Sequence, residues 1–153
     1  MITYAGSTLI AKFFCGKIEK GNALYIGLSK TTPNVSGGNL SEPTATTYSR
    51  VQLSDATQYN YIDFFGEPTQ GENGTVNISN DKIIYFPETY NQATSVGEDW
   101  GVCTHVCLFS AKTGGNLLAY QELNAPIHPG EGSVSSIPII RVGDITLSFG
   151  NPE

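Results

Sequence analysis

The chain has 153 residues, a net charge of −6, 17 glycines, 8 prolines and only 14% charged residues. That length fits one domain, 1–153, able to bury a core, and the glycine and proline content with few long helical patterns points to an all-β protein. The net charge argues against a nucleic-acid-binding surface, which needs clustered Lys and Arg; Arg50 and Arg141 are the only arginines, and no apolar run reaches the roughly 18 residues of a spanning helix.

Ser7 to Lys20 is the one good helix candidate. Ser7 can cap it, Leu9, Ile10, Phe13, Phe14 and Ile18 recur at helical spacing, Lys17 and Lys20 suit the negative end of the dipole, and Gly21 can terminate it. Ahead of it there is no basic region and no small-residue cleavage site, so no secretory signal is read. Asn22 to Leu28 follows as a strand with Leu24, Ile26 and Leu28 on one face and Ala23, Tyr25 and Gly27 on the other.

Ser29 to Thr47, with two prolines and Gly37-Gly38, is a long loop and a candidate interface. A Glu42–Arg50 pair could pin it to a strand over Tyr48 to Leu53, and the expectation is a solvated pair of little energetic weight. Ser54 to Asp81 reads as one irregular hairpin. Lys82 to Phe86 is a short strand ended by Pro87, and Glu88 to Asp99 a polar loop.

Trp100 to Phe109 is the apolar centre of the chain. Val102, Thr104, Val106 and Leu108 project to one face, Cys103, His105, Cys107 and Phe109 to the other, and neither set is charged, as in a strand covered on both sides. Ser110 to Asn116 is a turn-rich linker into a second run, Leu117 to Leu123, completing a hairpin. Asn124 to Gly132 is a connection. Pro138 makes Val134 to Val142 an edge strand, and Gly143-Asp144 turns into a half-buried closing strand, Ile145 to Phe149.

Several of these segments carry a resemblance. Trp100-Gly101, Thr104-His105, Leu108-Phe109, Thr113-Gly114-Gly115-Asn116-Leu117-Leu118 and Tyr120, preceded by Leu24 to Pro33, by Glu42-Pro43 and by Tyr48-Ser49-Arg50-Val51, resemble a small β-rich protein of tailed bacteriophages usually labelled tail fibre protein. The resemblance covers about half the chain and consists of strands and turns, not a chemical motif. It implies a structural component of the virion, made in the host cytoplasm and attached in multiple copies as a capsid decoration or a tail fibre or baseplate component. Its implied partners are major capsid or tail proteins and further copies of itself, with no membrane and no nucleic acid.

Candidate chemistry is sparse. On one strand face Cys103 and Cys107 lie about 13 Å apart, too far to share a zinc with bonds of about 2.3 Å or to form a disulfide, which needs Cα atoms within about 7 Å. Buried thiols acting as small apolar fillers explain them. His105 has no nucleophile pattern around it and no G-x-S-x-G turn is present, so no catalytic residue, metal site or cofactor is expected. Aromatics among polar amides, Tyr59, Tyr61, Phe64, Phe65 and Tyr90, are candidate stacking platforms for a host-surface glycan, which makes a carbohydrate-binding module the competing function. The expected fold is an antiparallel β-sandwich or flattened barrel closed at one end by the N-terminal helix.

Overall fold

The computed structural model describes residues 1–16, 23–53 and 65–150. In chain order the elements are α1 (Tyr4–Phe14), β1 (Tyr25–Ser29), β2 (Val51–Gln52), β3 (Thr69–Gln70), β4 (Val76–Ser79), β5 (Ile84–Tyr85), β6 (Tyr90–Asn91), β7 (Val96–Gly97), β8 (Cys103–Phe109), β9 (Leu117–Ile127), β10 (Ile139–Ile140) and β11 (Thr146–Phe149). Among the described residues the chain is all-β apart from α1 and two short 3-10 turns, every sheet is antiparallel, and none closes into a barrel. It is a sandwich.

The main sheet runs β2-β1-β8-β9. Its strand β8 is central, paired with β1 from Tyr25↔Phe109 to Ser29↔His105 and with β9 on its other side. Ile26, Leu28, Cys103 and Val106 from this sheet meet Ile84, Phe86, Ile140 and Ile145 from the facing layer, with Trp100 among them. That facing layer is made of the β10-β5 and β11-β4-β3 pieces. Alternation places Ile26 and Leu28 inward, whereas the register shift between Cys103 and His105 brings Cys103 into the cluster of Val106 and not, as expected, onto the face of Cys107; burial of the two inner faces holds the layers together.

Strand β8 begins at Cys103, not Trp100, because Gly101 takes a left-handed φ of 78° that bends the chain, and Val102 ahead of the strand is exposed. Strand β9 continues to Ile127, four residues past its expected end and through Pro126. It is the edge strand, where a missing donor costs no ladder bond, and a register shift between Cys103 and His105 absorbs the extra residues as Cys103 comes opposite Ile127. The expected loop Glu88 to Asp99 contains the β6–β7 ribbon, turned by Ser95 at φ 57°. From Val134 to Val142 only β10 is strand, and among the described residues it pairs with β5 alone, the edge position Pro138 predicts. The expected irregular hairpin is described from Phe65 onward, where β3 and β4 are joined through a 3-10 turn over Glu72–Gly74.

The helix starts earlier than Ser7. Thr3 is its cap, accepting the Gly6 N–H on Oγ1 at 3.1 Å, while its own hydroxyl donates between the carbonyls of Leu117 at 2.5 Å and Leu118 at 2.9 Å. That contact, with Thr3 N–H to the Leu118 carbonyl, fixes the start from outside the helix. Gly6 lets α1 sit against β9, since a methyl there would collide with the Leu118 carbonyl. Gly16, at φ 65°, ends the helix in the role expected of Gly21; residues 17–22 lie outside the described residues.

One buried amide ties the facing layer. Asn80, 1% exposed, donates from Nδ2 to the carbonyls of Lys82 at 2.9 Å and Arg141 at 2.8 Å and accepts the Ile145 N–H on Oδ1 at 2.9 Å. Asn80→Ala leaves all three backbone groups without that partner and should destabilise the fold by about 2–4 kcal/mol, at 1–3 kcal/mol for each buried group that water cannot reach. Urea unfolding checks it, and a loss within error of zero would mean that water replaces the side chain.

Candidate functional site

One arginine gathers the long loop, the β8–β9 turn and the main sheet. Arg50, just ahead of β2, makes two parallel bonds to Glu42, Nε to Oε1 at 2.9 Å and Nη2 to Oε2 at 2.6 Å. Its Nη1 donates to the carbonyls of Ala111 and Gly114 in the β8–β9 turn, each at 2.7 Å. The guanidinium carbon lies 3.5 Å from the centroid of the Phe109 ring. Planarity is what allows one group to fork onto a carboxylate, grip two carbonyls and stack on an aromatic face at once.

Glu42 also accepts the Tyr48 hydroxyl at 2.8 Å, and that hydroxyl accepts the Leu28 N–H of β1 at 3.0 Å. Burial first, and the Glu42 charge after it, push the Tyr48 phenol well above its ordinary pKa, so it stays a proton donor. Under this group lies Gly27. A β-carbon there would stand 2.7 Å from the Tyr48 hydroxyl, 2.9 Å from the Phe109 ring and 3.0 Å from Glu42 Oε1. Only glycine lets loop, turn and strand converge so closely. The expectation of a solvated pair is thus corrected: the Arg50 side chain is 7% exposed and Glu42 22%, because the Phe109 ring and the β8–β9 turn cover the pair.

A second fastening holds the end of the same loop. Glu98 accepts the Thr47 N–H at 2.7 Å, the Thr46 hydroxyl at 2.9 Å and Asn91 Nδ2 at 2.8 Å. Beside it Trp100 Nε1 donates to Thr47 Oγ1 at 2.9 Å. These bonds, Asn91 foremost, lower the Glu98 pKa from 4.5 to about 2. A carboxylate depressed on folding contributes stability in full above its unfolded pKa and loses it as pH falls through the folded value. Wild type should therefore be more stable than Glu98→Gln at neutral pH, the gap closing between pH 4.5 and about 2. Urea titrations of both proteins across that range test this; a gap independent of pH would refute it.

The residues singled out in the sequence fall elsewhere. Tyr59, Tyr61 and Phe64 lie outside the described residues. Phe65 bridges to Asn80 and packs half-buried against the core, whereas Tyr90 is 40% exposed on β6. His105 is buried, its Nδ1 2.8 Å from Thr104 Oγ1 and its ring against Tyr120; burial lowers its pKa. Cys103 sits in the main core and Cys107 in a second cluster with Phe109 and Leu117. Burial pushes their thiols up to about 11 and about 12, far from thiolate reactivity. His128 pairs with Asp99 at 2.7 Å at the far end of β9.

Sequence reasoning paired Glu42 with Arg50 but missed Phe109 and the two carbonyls, which are 59 to 64 residues from Arg50 in the chain. Asn80 carried only the signal of a polar residue between two strands. Every group in the Arg50 cluster is engaged by another, so what the arrangement does is mechanical: it fixes a long surface loop on a sheet.

The segments that build this cluster are among those that carry the resemblance, and the family match includes them. The family described as Podophage GP4 fiber I protein gp80 matches residues 1–148. The chain belongs to this podophage fibre family. Comparison with curated proteins returns no match. The match spans α1, the long loop and both layers of the sandwich, and identifies a structural fibre-type component of a phage virion. No helix among the described residues is long and apolar enough to cross a membrane.

Proposed function

We propose that this fibre-family protein is a non-enzymatic tail component of a podophage particle, made in the host cytoplasm and attached in multiple copies to other virion proteins through its long loop and N-terminal helix. The observation that carries this reading is the match to the podophage fibre family over residues 1–148. The pinned loop supports it physically: a surface segment held by Arg50 and Glu98 enters an interface already ordered and loses little entropy on docking.

Electron microscopy of intact particles with a labelled copy tests the location. Label at the tail is the expected result. Label over the head would overturn the tail assignment and make the protein a capsid decoration. A glycan-binding role has one observation in its favour, the exposed Tyr90 ring on β6. Under that reading Tyr90→Ala should abolish binding to host glycan without unfolding the domain; unchanged binding would remove Tyr90 as its platform.

A further inference from the structure

His105 lies on the central strand of the main sheet and is 6% exposed. Alternation puts it on the side of Cys107 and Phe109, and Tyr120 packs both on their cluster and on the imidazole, at 6.3 Å between ring centroids. The long loop covers that side. Leu40 packs on the cluster of Cys107, Phe109 and Leu117, and the stem of the loop is fastened beside the imidazole by Ser29, which is fully buried and directly opposite His105 on β1. The Ser29 hydroxyl donates to the Thr31 carbonyl at 2.7 Å and accepts the N–H groups of Thr31 at 3.3 Å and Ser41 at 3.2 Å. Lys30 N–H to the Ser41 carbonyl, at 2.8 Å, closes the stem.

We propose that His105 is an acid-sensitive switch beneath the long loop, whose uptake of a proton loosens the stem at Ser29 and Ser41. A cation formed there has few groups to receive it. Ser29 has its one proton and both lone pairs committed to the loop. Thr104 Oγ1, 2.8 Å from Nδ1, can donate to the neutral ring and must turn round to accept from the charged one. On β9 the Glu122 carboxylate stands opposite and favours the charge, but it is exposed, and water weakens its pull. The other ionisable groups around the ring are Tyr120 on β9, Cys103 and Cys107 on its own strand, Lys30 after Ser29, and Glu42, which is committed to Arg50. Loss of water around a buried cation outweighs one exposed carboxylate, and burial accordingly lowers the pKa of His105.

A ring that holds its proton less firmly in the fold than in the unfolded chain makes stability depend on pH. The contribution is complete above the ordinary histidine value of about 6.5 and is lost as the pH falls below it. Glu98 titrates far lower, at about 2, so its response does not overlap. The consequence for attachment rests on the reading of the long loop as a docking segment, and the switch itself does not.

Hydrogen exchange of the purified full chain at about pH 7.5 and about pH 5, on either side of that value and corrected for intrinsic exchange, tests the switch. Protection of the Lys30, Thr31 and Ser41 amides should fall in acid for wild type and hold for His105→Gln. His128→Gln removes the only other histidine and should leave the acid loss intact. Glu122→Gln should deepen the loss, since the carboxylate opposite the ring is gone, and this exposed change decides the matter if His105→Gln does not fold. Unchanged protection in wild type, an equal loss in folded His105→Gln, a loss that disappears in His128→Gln, or one no deeper in Glu122→Gln would overturn the proposal. Incorporation into particles at the two pH values is a separate reading: acid loss of protection with unchanged incorporation supports the switch and rejects the loop as the docking segment.

Discussion

Arg50→Ala is expected to lower the unfolding free energy by about 3–5 kcal/mol, the cost of removing one partner from a buried, hydrogen-bonded ion pair. Glu42 keeps 22% of its side chain in contact with water, which places the loss toward the lower end. Three consequences of the deletion act together. Glu42 is left covered without its counter-charge, the Ala111 and Gly114 carbonyls lose their shared donor, and the Phe109 ring loses the cation stacked on it. Arg50→Lys should recover only part of the loss, because a point charge cannot make the fork, the two carbonyl bonds and the stack simultaneously. Adding Glu42→Gln to Arg50→Ala should return some stability by removing the orphaned charge. Urea unfolding of the four proteins measures all of this, and a loss under about 1 kcal/mol for Arg50→Ala would place the pair with ordinary surface bridges.

The second large effect is at Trp100. It is the only tryptophan in the chain and is 2% exposed. Its ring meets Tyr48 edge-on at 5.2 Å between centroids and Phe86 at 6.5 Å, so it joins the loop anchored by Glu42 to the layer that carries β5. Trp100→Ala should cost about 3–5 kcal/mol through lost burial and the cavity left behind. Trp100→Phe keeps most of the packing and loses the bond to Thr47, and should cost about 1–2 kcal/mol. Thermal unfolding followed by circular dichroism ranks the variants independently of the indole signal. If Trp100→Phe proved as damaging as Trp100→Ala, the hydrogen bond rather than the ring volume would be the dominant contribution.

These two anchors also bear on function. Both lie where the long loop meets the sandwich, and both should change the loop's order before they change the sheet. A variant that stays folded yet no longer incorporates into particles would tie the pinned loop to attachment, which links the stability measurements to the proposed role.

How much of this was legible in advance follows from the range of each interaction. Strands β1 and β11 were readable because alternation has a period of two residues and needs no partner to be seen, and β8 because a run uncharged on both faces marks a strand covered on both sides. The edge position of β10 was readable from Pro138, since a missing donor is a property of the residue itself. The resemblance marked the segments that build the Arg50 cluster. It contained no information on how they meet, and the match over residues 1–148 extends it to nearly the whole chain.

Tertiary structure decided the rest. The helix is capped at Thr3, not Ser7, because Thr3 is tied to Leu118, 115 residues away. β9 runs through Pro126 because, among the described residues, no strand lies on its outer side at that point to require the missing donor. Glu42 and Arg50 read locally as a solvated pair, but the Phe109 ring and the turn carbonyls that cover them come from the central hairpin. Sequence by itself thus determined the class of fold, the strands with clean alternation and the partners of the ion pair. Which groups are dry depends on contacts between distant segments, and only the assembled sandwich specifies those.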